Sequence, residues 1–108
     1  MAVPCPDDLA TAQKVLIVVE GDRAVIVSVR HPDVALFYDP ERWDDRNIPR
    51  FDAGDPRVRF EPCGGDQRTT QSNGAFLVRV SACVPVEVRA EGGGTMFATL
   101  SFGAGNCA

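Results

Sequence analysis

Along most of this chain apolar and polar residues alternate with a period of two, the spacing of strands that bury one face. Lys14 to Glu20 is a β-branched and apolar run without helical spacing, which predicts a strand covered on both faces. After the turn residues Gly21-Asp22-Arg23, Ala24 to Arg30 sets Val25, Val27 and Val29 against Ile26 and Ser28, so these two segments are expected to form a hairpin. Val34 to Tyr38 predicts a third strand, stopped by Asp39-Pro40 because proline donates nothing to a ladder. Arg57 to Glu61 points Val58 and Phe60 inward. Ala75 to Ser81 groups Phe76, Val78 and Val80, and Val86 to Ala90 follows the break at Cys83-Val84-Pro85. Met96 to Phe102 places Met96, Ala98, Leu100 and Phe102 on one side.

About seven short strands with turn chemistry between them, and no helical segment beyond a possible turn at Asp7 to Gln13, predict an all-β fold. The expected form is two antiparallel sheets packed as an immunoglobulin-like sandwich, with a small barrel as the other arrangement. The triple glycine at Gly92-Gly93-Gly94 suits a tight hairpin between the last two strands. Residues 1–13 read as a polar lead-in, and residues 64–74 as a glycine-rich connection. The proline-rich, acidic stretch 39–56 is a long loop, a kind of segment that often carries function. The whole chain reads as one domain.

With 108 residues the core is modest, so cross-links matter. The four cysteines, Cys5, Cys63, Cys83 and Cys107, lie far apart with no C-x-x-C pair and a single histidine to help them, which argues against structural zinc. They read as two disulfides, hence an extracytoplasmic domain, secreted or tethered at the cell envelope. Folding the last two strands about the triple glycine brings Cys83 and Cys107 to one end, which pairs them and leaves Cys5 with Cys63; other connectivities stay open. No signal-like segment precedes Cys5, so this reading expects a leader removed ahead of Met1. The longest apolar run, Val15 to Val19, is far too short for a membrane helix. With 11 basic and 15 acidic residues, a net charge of -4 and no basic run, no nucleic-acid partner is expected.

Candidate chemistry is sparse. His31 precedes a proline in a turn, no G-x-S-x-G elbow is present, and the carboxylate pairs Asp7-Asp8 and Asp44-Asp45 are adjacent loop residues. The acidic stretch 39–47 lacks a calcium-loop pattern and is interleaved with arginines. No enzyme, cofactor or metal is therefore expected. The best binding chemistry lies on the long loop, where Trp43 offers contact area, Arg42 and Arg46 can fork onto carboxylates, and Tyr38 and Phe51 flank them. The bland alternative folds Trp43 and Phe51 back as a small core under the loop.

The run Cys83-Val84-Pro85-Val86-Glu87-Val88, then Leu100-Ser101-Phe102-Gly103 and the closing Cys107, resembles small secreted or membrane-tethered proteins of actinobacteria. The resemblance spans roughly residues 57–107 and rests on structural residues. It implies an extracytoplasmic setting without an activity. The expectation is a non-catalytic interaction or structural module that binds an extracellular protein or glycan. The rival is a secreted inhibitor or toxin-like protein acting through an exposed loop such as Gly64 to Gly74.

Overall fold

One register organises the first sheet of the computed structural model, which describes residues 10–21, 23–39, 42, 50–62 and 69–107. Strands β1 (Thr11–Lys14) and β2 (Ile17–Glu20) pair antiparallel with β7 (Ala75–Val78) and β6 (Thr69–Ser72). Thr11 faces Val78, Lys14 faces Ala75, Ile17 faces Ser72 and Glu20 faces Thr69, so the ladder resumes after residues 15–16 without slipping. The two pairings are thus one long ribbon with a break in its middle. On the other edge of β7 lies β4 (Val34–Phe37).

The second sheet has the order β5-β3-β8-β9, formed by β5 (Arg57–Phe60), β3 (Val25–Val29), β8 (Ala82–Ala90) and β9 (Thr95–Phe102), all antiparallel. Between the sheets lies a core drawn from both: Val19 and Leu36, Phe76 and Val78 from one side, Val27 and Phe60, Val84 and Val86 from the other. The result is a β-sandwich-like, all-β fold. The alternations read in β3, β5 and β8 face the core as expected, because a half-buried strand must send every second side chain inward.

Several sequence expectations are corrected. There are nine strands among the described residues rather than seven, because β1 starts at Thr11, inside the expected lead-in, and the polar segment 64–74 contains β6. Thr70 of β6 is buried although polar. Thr11 to Gln13 is extended, not helical. The expected hairpin of the 14–20 and 24–30 segments does not form: β2 pairs with β6, and β3 with β5 and β8. The 14–20 segment is not covered on both faces either, since Leu16 and Val18 are half exposed.

The strand β8 also runs straight through Pro85, which the sequence had marked as an interruption. Its carbonyl accepts from the Arg30 amide at 3.4 Å, so this residue's missing N–H would have pointed beyond the end of β3 and not into the β8–β9 ladder. The hairpin of β8 and β9 about the triple glycine forms as expected, and Cys83 and Cys107 are joined at its far end with Cα atoms 5.7 Å apart. Cys5 and Cys63 lie outside the described residues.

β4 and β7 are buried along their full length. Their second cover is the end of the long loop, where a short 3-10 turn at Phe51–Ala53 leads into an isolated bridge between Leu36 and Asp55, with both N···O distances 2.7 Å. A Cβ on Gly54 would stand 2.7 Å from that of Ala35, so this close approach of loop to sheet requires glycine.

Candidate functional site

The residues expected to form a binding loop are placed as follows. Tyr38 belongs to the core: its ring meets Phe60 and Phe76 edge-on at 5.0 and 6.3 Å, and its hydroxyl donates to the Val15 carbonyl at 2.6 Å. Burial raises its pKa to about 12. Arg42 braces the base of the loop, bridging Asp39 at 3.3 Å and Asp55 at 3.1 Å and donating to the Ala53 carbonyl at 3.0 Å. Phe51 lies half buried beneath the guanidinium of Arg79, 3.9 Å from its ring centre, and Arg79 in turn pairs with Asp33 at 2.9 Å. Trp43 and Arg46 lie outside the described residues, as does the Gly64 to Arg68 portion of the second candidate loop. His31 accepts the Asp33 amide through Nδ1 at 3.1 Å, the role of a turn residue.

The surface feature that sequence reading missed is the edge at β9. The other sheet edges are short or dressed: β5 has four residues, two of them arginines, and β4 is capped by its bridge to Asp55. β1, β2 and β6 have four residues each. In contrast, β9 has eight residues without a charge or a proline, and among the described residues only β8 pairs with it. Natural proteins protect such edges with charge, proline or brevity.

The direction of its free groups follows from Pro85. The Pro85 carbonyl faces Arg30, so its partner across the ladder, Thr99, cannot be hydrogen-bonded to β8 and turns its own N–H and C=O outward. By alternation Thr95, Phe97 and Ser101 do the same, while Met96, Ala98, Leu100 and Phe102 bond inward to β8.

Beside this edge the sandwich gapes. An apolar cleft of about 310 Å³ opens between Leu16 and Val18 on one lip and Val88, Ala98 and Leu100 on the other, with the buried Phe76 behind them and Glu20 as its charged residue. Met96 and Phe97, at 65% and 70% exposure, extend the apolar surface on the two faces of β9. Such an edge can hold an extended chain by main-chain hydrogen bonds, while the cleft takes alternate side chains. Period-two patterning shows that Met96 to Phe102 is a strand, but not whether a neighbour follows it.

Among the described residues no group of three or more histidine, cysteine or acidic side chains is placed to hold a metal. Among the described residues no helix is long and apolar enough to cross a membrane. No protein-family model, curated protein or solved structure matches the chain.

Proposed function

We propose that this chain is a non-catalytic, extracytoplasmic interaction module with an immunoglobulin-like sandwich, and that it takes an extended segment of a partner protein along β9. The observation that carries the reading is the eight-residue, charge-free edge whose outward N–H and C=O groups stand beside an apolar cleft. The Cys83–Cys107 bond supports an oxidising compartment for so small a domain. In this reading the loop of residues 39–52 is a secondary contact, anchored by Arg42 and Phe51, with Trp43 and Arg46 as the side chains whose chemistry suits a partner.

Selection of a random peptide library against the protein tests the proposal. Binders should carry apolar residues at alternate positions and should weaken about tenfold or more against Thr99→Pro, a loss of roughly 1.4 kcal/mol or more for the blocked edge. Binders indifferent to Thr99→Pro, or none at all, would overturn it.

A further inference from the structure

The outer face of the second sheet carries charged chemistry that the β9 edge does not use, and shares with it only Phe97. The register stacks Arg57, Ser28, Glu87 and Phe97 side by side across the four strands, all on the face away from the core. Arg30 and Arg89 flank this row. Glu87 is held low, its side chain only 14% exposed, with Arg30 at 2.9 Å and Arg89 at 3.9 Å from its two oxygens. Arg57 is exposed and has no carboxylate partner among the described residues. Arg59, one position further along β5, is different: Glu61 and Glu91 both bind it.

Three guanidiniums and one carboxylate therefore line a shallow trough of about 290 Å³, a local excess of positive charge on a chain whose net charge is -4. The aromatic ring of Phe97, paired across the ladder with Glu87, stands exposed on the same face at the trough's side.

From this arrangement we infer that the outer face of the β5-β3-β8-β9 sheet binds an acidic polysaccharide. Guanidinium forks suit a carboxylate, which would lie beside Arg57, between the flanking Arg30 and Arg89, and would offset part of the positive excess that Glu87 alone leaves. The flat apolar face of a sugar ring stacks on Phe97. A sugar chain fits this open, flat surface because it needs no main-chain ladder; an extended peptide finds its ladder at the β9 edge instead. The inference is independent of the β9 reading, since it concerns a sheet face and not the strand edge.

Oligogalacturonate, a chain of uronic acid units, is the probe, with poly-L-glutamate as the peptide counterpart and calorimetric titration as the readout. The native protein should bind the uronate with an affinity that falls as salt rises. Arg57→Gln, which leaves no carboxylate without its partner, should weaken binding roughly three- to fivefold, as for loss of one exposed charge pair. Replacing Arg30, Arg57 and Arg89 together by glutamine should weaken it about tenfold or more. Phe97→Ala should weaken the uronate and leave any glutamate binding unchanged. Arg23→Gln, at a distant arginine bonded to the Gly92 carbonyl, should have no effect. The inference fails if the native protein binds no uronate, if Arg57→Gln binds as the native protein does while melting normally, or if poly-L-glutamate binds equally well and Phe97 is immaterial.

Discussion

Tyr38 lies so close against Gly74 that a Cβ added at position 74 would stand 2.2 Å from its ring. The same tyrosine donates its hydroxyl to Val15, whose amide donates to the Gly74 carbonyl at 3.4 Å. The break in the β1–β2 and β6–β7 ribbon is therefore closed by a side chain reaching across from the end of β4. Gly74→Ala should destabilise the fold by about 1–3 kcal/mol or more, the cost of overpacking a rigid site. Thermal melts of Gly74→Ala in native and Tyr38→Ala backgrounds check the cause: the penalty should shrink once the ring is gone, and purely additive effects would refute the contact.

The pH response follows from the same ring. Tyr38 is the chain's one tyrosine, so its ultraviolet titration is uncontaminated by others. Burial disfavours the phenolate and moves the folded-state pKa from 10.0 up to about 12. The neutral phenol is thus the form the fold prefers; its contribution is complete below pH 10 and is lost as pH rises from 10 through 12. The absorbance midpoint should lie near 12 while circular dichroism still reports folded protein, and a midpoint near 10 in folded protein would refute the burial. Tyr38→Phe should cost about 1 kcal/mol for the lost hydrogen bond to Val15 and abolish the titration.

The Cys83–Cys107 bond closes a loop with a sequence separation of 24. Since β8 and β9 are already a local hairpin, the bond's effect is chiefly to restrict the unfolded chain and to hold the glycine-rich tail against β8. Replacing both cysteines by serine should lower stability by roughly 3 kcal/mol with the native sheet retained. Denaturant melts of the two proteins measure it.

Proline scanning separates the two sides of β9. Thr99→Pro removes an outward N–H and should cost under about 1 kcal/mol, whereas Leu100→Pro removes a ladder bond to β8 and should cost several times as much. Native-state hydrogen exchange should show the same alternation, with the amides of Phe97, Thr99 and Ser101 exchanging quickly and those of Ala98, Leu100 and Phe102 slowly. Uniform protection along β9 would mean that its outer edge is occupied in the free protein.

By itself the sequence determined what depends on near neighbours. Period-two patterning set the inward faces of β3, β5 and β8, and glycine chemistry set the β8–β9 hairpin, from which the Cys83–Cys107 pairing follows. Each of these is local, because side-chain direction in a strand and reach across a tight turn are fixed within a few residues. Pairing between distant strands was decided only by the tertiary structure. The segment 14–20 turned from its sequence neighbour to β6, a polar strand whose sequence reads as a loop, because the cover that buries Val19 and Thr70 comes from elsewhere in the chain. The same is true of the outer sheet face and the β9 edge. Arg57, Ser28, Glu87 and Phe97 come from four strands and meet only through register, and β9 is an edge only because no other described strand lies beside it. Tyr38 and Phe51 both flank the long loop in sequence, yet one fills the core and the other lies under Arg79, a difference set by long-range packing that no local pattern encodes.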